Sequence, residues 1–225
     1  MSDSNIDAIA APILERFHLY KTFLRGVEAF FVEHPVLNGY PPILHSLKSR
    51  VKDPEHLKEK IRRKIDEGLS ITPDDVFNSI TDVAGIRVMH LYQQEFETIS
   101  QVINQQITRG DWVLFAKPKA YTWDPESRSF FKELGLDVHI KESFYTSIHY
   151  VVRPRADSEI SCEIQVRTLF EEIWGEIDHQ INYPVPTESL ACREQLRVLA
   201  RLTGAGSRLA DSIFRIHREE RHRNR

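Results

Sequence analysis

The run CEIQVR at 162–167 alternates apolar and polar residues, so a strand through it sends Glu163, Gln165 and Arg167 to one face and Cys162, Ile164 and Val166 to the other. The same count over 145–152 groups Tyr145, Ser147 and His149 opposite Ile148, Tyr150 and Val152. If the two runs pair, one sheet face carries a carboxylate, an arginine, a histidine and an aromatic ring, an inventory suited to proton transfer on a polar ligand. On pattern alone, the same alternation also describes a solvated outer sheet face. Asp82 stands just before the apolar run GIRVMHLY at 85–92, a strand entrance from which a side chain reaches a cleft. Paired with Glu163 it would offer oxygen ligands suited to Mg²⁺, which takes one or two carboxylates and lets substrate phosphates complete its octahedron. An Asp in that place is also an ordinary turn or cap residue.

Phosphates need cations, and these cluster in KSRVKDPEHLKEKIRRK at 48–64. Asp53 is the expected N-cap of a helix that carries Pro54 in its first position, where a missing N–H does no harm. On that helix His56, Lys60 and Lys64 recur every fourth residue and project from one face, with Leu57 and Ile61 on another. A second basic run, RIHREERHRNR at 215–225, reads as a solvated helix end whose cations complement the helix dipole. Such clusters become phosphate sites only when other groups converge on them.

The elements that must position these groups follow from periodicity. Apolar residues at helical intervals predict one or two helices over about 6–33, closed by His34-Pro35 and the GYPP stretch at 39–42. After the cationic helix come the strand at 85–92, a helix over about 94–106 and a strand over 112–116 ended by Lys117-Pro118-Lys119. Residues 120–142 read as a longer connection with a short helix near 127–134. The runs 145–152 and 161–166 form a hairpin across the polar turn RPRADSE. Thr168 and Glu171 make a capping box for a helix reaching about Ile181, with Leu169, Ile173 and Ile177 as its buried stripe. Beyond Pro184 and Pro186, one or two helices occupy about 188–218, interrupted near Gly204 and Gly206. This order predicts a single domain over 1–225 with an α+β fold, a mixed sheet flanked by helices. The 225 residues suffice for one core; 41% are hydrophobic and 28% charged, the balance of a folded protein. Neither a membrane span nor a signal peptide is visible, which points to the cytoplasm. Two cysteines, Cys162 and Cys192, are too few for a disulfide framework. No glycine-rich phosphate loop of either common kind occurs, so side chains must hold any nucleotide.

Taken in order, SRVK at 49–52, Lys60 and Lys64, TDVAGIRV at 81–88, KPK at 117–119, YTSIH at 145–149, EIQVRT at 163–168 and W-x-x-x-D-H at 174–179 resemble the RelA/SpoT alarmone synthetases. The resemblance implies a nucleotidyltransferase-like synthetase fold and a GTP diphosphokinase-like reaction. In it, the β,γ-pyrophosphate of ATP moves to the 3'-hydroxyl of GDP or GTP, giving (p)ppGpp. Carried over residue by residue, it makes Asp82 and Glu163 the Mg²⁺ ligands, with Glu163 also taking the acceptor's proton. It assigns Arg50, Lys52, Lys60, Lys64 and Arg167 to ATP, Tyr145 to stacking on the acceptor base, and His149, Lys119 and Lys117 to the rest of the acceptor, with His179 in support. Phe144 and Thr146 stand where the family usually has a glycine before the tyrosine and an arginine or glutamine after it. The chain resembles the short stand-alone synthetases, which lack the hydrolase and regulatory domains of long members and assemble as homotetramers. Relatives that pyrophosphorylate adenosine nucleotides or the 3' end of transfer RNA offer a second enzymatic reading. A catalytically silent nucleotide sensor is a third, against which the retention of both carboxylates argues.

Overall fold

The alternation seen in the sequence becomes a mixed sheet of seven strands. In the computed structural model, which describes residues 3–183 and 185–223, six strands run in the order β1 (Ser46–Val51), β2 (Ala84–His90), β7 (Cys162–Thr168), β6 (Ser147–Arg153), β4 (Lys119–Thr122) and β5 (Asp137–Ile140). The seventh, β3 (Val113–Leu114), pairs with β6 beyond the end of β4. β2 and β7 are parallel, with Gly85 opposite Glu163 and Arg87 opposite Gln165. β6 and β7 form the expected antiparallel hairpin, with His149 opposite Gln165.

One sheet face is apolar. Ile86, Val88, Ile148, Tyr150, Ile164 and Val166 are buried there in one core with residues of α1 (Asp3–Glu15), α2 (Phe17–Glu33), α3 (Pro54–Asp66), α4 (Val76–Ser79) and α5 (Glu95–Thr108). Each fully buried aliphatic or phenyl side chain contributes roughly 1.5–3 kcal/mol, so this face anchors the sheet. The N-terminal segment is two helices, broken at Arg16, whose φ of −98° and ψ of 9° leave the helical region. Asp53 caps α3 as expected, its side chain accepting from the Glu55 N–H.

Four expectations are corrected. The strand over 112–116 shrinks to Val113–Leu114; the chain bends over 115–116, passes Pro118, which has no N–H to pair, and resumes against β6 as β4. The connection over 120–142 holds β4, α6 (Pro125–Glu133) and β5. Four-residue strands are too short to carry a period-two signal. α7 (Leu169–Asn182) starts on the predicted capping box, but Ile173 and Ile177 are 53% and 37% exposed, and Glu172 and Trp174 are buried instead. The sheet face under α7 is the polar one, so the helix turns a carboxylate inward. Finally, α8 (Leu190–Arg223) is one helix that passes unbroken through Gly204 and Gly206. Pro184, and Asn224 and Arg225 of the basic tail, lie outside the described residues. Among the described residues no helix is long and apolar enough to cross a membrane.

The α8 glycines mark its contact with the rest of the molecule. A Cβ on Gly206 would stand 2.6 Å from Cε1 of Phe170 on α7, whereas one on Gly204 would meet Trp123 Cζ2 at 3.6 Å, an ordinary contact. Gly206→Ala should therefore lower unfolding free energy by about 1–3 kcal/mol through overpacking. Gly204→Ala should leave it unchanged or raise it by up to about 1 kcal/mol, from helix propensity. Urea denaturation of the two variants checks this ordering.

Candidate active site

The parallel register of β2 and β7 brings Asp82, two residues ahead of β2, beside Glu163 near the start of β7. Both are largely buried, with side-chain exposures of 20% and 16%. Asp82 Oδ2 pairs with Lys60 Nζ at 2.5 Å and Lys52 Nζ at 3.3 Å. β1 supplies Lys52 by running just past its own end, where the Lys52 N–H donates to the Val83 carbonyl at 2.7 Å; α3 supplies Lys60. Burial alone would push the Asp82 carboxyl up, but the Lys60 and Lys52 ammonium groups outweigh it and hold its pKa below the ordinary value. Burial likewise lowers Lys52. Asp82 Oδ1 is buried and has no hydrogen-bond partner. A buried acceptor of this kind is costly unless something binds it.

Glu163 belongs to a closed ring of five side chains. Oε1 meets His149 Nδ1 at 3.0 Å and Oε2 accepts from Gln165 Nε2 at 2.6 Å. His149 Nε2 meets the Tyr145 hydroxyl at 2.9 Å, and Arg167 Nη2 donates to that hydroxyl at 3.0 Å and to Gln165 Oε1 at 2.6 Å. The ring closes without conflict when His149 carries its proton on Nδ1, donating to Glu163 and accepting from Tyr145. Burial raises the Tyr145 pKa, which keeps that hydroxyl a donor. Burial also works against the Glu163 charge, yet the hydrogen bonds from His149 and Gln165 hold its pKa below the ordinary value. Both carboxylates are therefore kept ionised in a buried setting.

Asp82 lines three adjoining cavities. The first, about 630 Å³, is cationic, with Arg50, Lys52, His56, Lys60, Arg63 and His179 in its wall. The second, about 220 Å³, adds Glu163, Gln165, Arg87 and Lys48. The third, about 460 Å³, is edged by Tyr121, Lys141, Tyr145, His149 and Glu163. The two carboxylates thus sit between a cationic chamber and an aromatic one.

Most of the residues expected from the sequence meet here. His179, at the far end of α7, joins the cationic wall and stacks on Tyr183 at 4.7 Å. Arg167 does not reach the cationic chamber: it is 3% exposed, held by the ring and by Glu172 at 3.2 Å, so it supports Tyr145 from behind. Lys64 turns away to donate to the Ser79 carbonyl at 2.8 Å. Lys119 is exposed opposite His149 at the edge of the ring face, and Lys117 is exposed before β4; neither lines the aromatic chamber. Lys141 takes that place, its ammonium 4.9 Å from the centre of the Tyr121 ring. Tyr121 and Lys141 fell in the stretch read as a connection. Arg87 was also missed, although alternation along β2 signals it: a lone cation on an otherwise apolar strand. It is bound to Glu172 Oε1 at 2.8 Å and Glu176 Oε1 at 2.5 Å. The residue before Tyr145, Phe144, has φ of +64°, the one positive value among described residues other than glycine. For an L-residue that region costs roughly 1–2 kcal/mol.

Residues 49–188 match the sequence model described as "Region found in RelA / SpoT proteins", more than half of the chain and every residue just placed except Lys48. The chain belongs to the RelA/SpoT family. Among curated relatives, this RelA/SpoT chain is 27% identical to GTP pyrophosphokinase YwaC of Bacillus subtilis over 169 residues, 73% of this chain and 72% of YwaC. It is 25% identical to GTP pyrophosphokinase YjbM of the same organism over 224 residues, 97% of this chain and 92% of YjbM. Its fold matches that of small alarmone synthetase 1 from B. subtilis, solved with its product pppGpp, at a TM-score of 0.65 and 24% identity, covering 92% and 97% of the two chains. A GTP pyrophosphokinase family protein from Streptococcus pneumoniae matches at 0.66 and 22%, covering 92% and 96%.

The ring makes a prediction about Glu163. Replacing His149 with Ala removes the influences that chiefly lower its pKa and leaves burial and the Asp82 charge, both of which raise it. The Glu163 carboxyl carbon, followed by ¹³C NMR across pH, should titrate at higher pH in His149→Ala than in the wild type. An equal or lower midpoint would contradict the ring.

Proposed function

We propose that this chain is an ATP:nucleotide 3'-pyrophosphotransferase that makes ppGpp or pppGpp from ATP and GDP or GTP, releasing AMP. The observation that carries this reading is the ionised pair Asp82 and Glu163 standing between the two chambers. Family membership and alignment with two GTP pyrophosphokinases over most of the chain support the same assignment.

The cationic chamber suits the ATP triphosphate, with Arg50, Lys52 and Lys60 countering charge that spreads over the phosphoryl oxygens. Tyr121, Tyr145 and Lys141 suit the acceptor, rings for the base and an ammonium for its 5'-phosphates. The acceptor's 3'-oxygen attacks the β-phosphorus of ATP, the bond from that phosphorus to the α,β-bridging oxygen breaks, and AMP leaves with that oxygen. Glu163 takes the proton of the 3'-hydroxyl. His149 and Gln165 each occupy one lone pair of its two oxygens and leave another on each free for this. The buried, unpartnered Oδ1 of Asp82 and the ionised state of both carboxylates fit Mg²⁺, which Asp82 and Glu163 would hold. When bound, the ion supplies further positive charge to the phosphates.

Copies of the chain are inferred to associate; the exposed Leu202, Leu209, Ile213 and Ile216 on α8 favour a homo-oligomer, a tetramer by family analogy. ATP and guanosine nucleotides as substrates favour a cytoplasmic location.

Purified protein with ATP, Mg²⁺ and GDP or GTP should release AMP and a 3'-pyrophosphorylated guanosine nucleotide. Label appearing only on transfer RNA or an adenosine nucleotide offered in parallel would overturn the acceptor, and no AMP from any would overturn the reaction. Glu163→Gln should lower kcat about 10²–10⁴-fold while nucleotide affinity stays within a few-fold.

A further inference from the structure

Tyr145 enters its ring from a turn that is unusual for its residue type. Phe144 occupies the left-handed region at φ +64°, where a bulky side chain is an outlier that its surroundings must hold in place. Its N–H donates to the Lys141 carbonyl at 3.4 Å, so one turn delivers both Lys141 and Tyr145 to the aromatic chamber. What holds it does not line the chamber, Trp174 apart. The Phe144 ring packs 5.0 Å from that of Trp123, at the end of β4, and both border a cavity of about 20 Å³ walled by Trp174 of α7 and by Ala200, Thr203, Gly204 and Ser207 of α8.

α8 is fastened to this place from several directions. Arg208 pairs with Asp124 next to Trp123, and with Glu126 at 3.2 Å. Asp211 accepts from the Gln94 N–H at 2.9 Å, and Phe214 stacks on Tyr92 at 4.3 Å. Trp174 donates to the Leu196 carbonyl at 3.0 Å. The Trp123 ring lies against the helix beside Gly204, where a Cβ would stand 3.6 Å from Cζ2. On the turn's other flank, the buried hydroxyls of Thr122 and Thr146 meet at 3.2 Å.

We propose that Trp123 and Phe144 are positioning residues for the acceptor: they transmit the seating of the C-terminal helix to Tyr145 and Lys141 and so set affinity for the guanosine nucleotide. The proposal rests on the pyrophosphotransferase reading for the identity of that nucleotide. A change at this contact acts on acceptor binding and leaves the donor chamber, built from β1, α3 and the end of α7, as it was. Relaxing the turn with glycine removes both the strain and the ring that fixes the tyrosine.

The full chain carrying Phe144→Gly, Trp123→Ala or Trp123→Phe tests this, with rates measured against ATP and GDP separately, and with calorimetric binding of GDP and a nonhydrolysable ATP analogue. In Phe144→Gly and Trp123→Ala, KM and Kd for GDP should rise at least tenfold while those for ATP stay within twofold; Trp123→Phe should restore GDP binding to within threefold. GDP values within twofold of wild type in both variants, or equal losses for both nucleotides, would overturn the proposal. Should the wild type make no AMP, the assigned reaction fails, and hydrogen exchange of residues 145–149 without nucleotide decides the inference. A tenfold faster exchange in both variants supports the coupling, and unchanged exchange overturns it.

Discussion

The parallel pairing of β2 with β7 is the constraint on which the site depends. It alone places a carboxylate from the entrance of one strand beside a carboxylate from the other, some eighty residues away in sequence. A one-residue slip would send Glu163, Gln165 and Arg167 into the apolar core and Ile164 and Val166 out to the ligand. The register is locked because the opposite face of both strands is buried under α2 and its neighbours. The core therefore sets the chemistry from behind.

Around that register, charges are balanced locally. Asp82 is answered by Lys52 and Lys60 from one side, and Glu163 by His149 and Gln165 from the other. Buried ions without such partners would neutralise instead. α7 extends the same logic over the polar sheet face, where Glu172 joins Arg87 to Arg167 and Glu176 joins Arg87 to Lys48. These pairs keep a highly charged cleft ordered while the buried Asp82 Oδ1 stays without a hydrogen-bond partner.

Much of this was legible in the sequence. Strand alternation separated Glu163, Gln165, Arg167 and His149 from the core residues, because period two is strict in a sheet buried on one side. Helical spacing found Lys60 but also promoted Lys64, which one further turn of α3 carries to the Ser79 carbonyl. Tyr121 and Lys141 escaped because KAYT, and DVHI just before Lys141, are too short to show a period. The apolar stripe assigned to α7 was wrong because the surface beneath it is polar, which no reading of the helix by itself reveals. The glycines of α8 looked like breaks, but the rings of Phe170 and Trp123 fill the space beside them and the helix continues. Tertiary packing overrode local preference in both helices.

The central claim is that Asp82 completes a magnesium site that binds the donor triphosphate. Calorimetric titration of a nonhydrolysable ATP analogue into wild type and Asp82→Asn, with and without Mg²⁺, tests it most directly. The account predicts that Mg²⁺ tightens binding at least tenfold in the wild type and less than twofold in Asp82→Asn. An equal gain from Mg²⁺ in both proteins would contradict it.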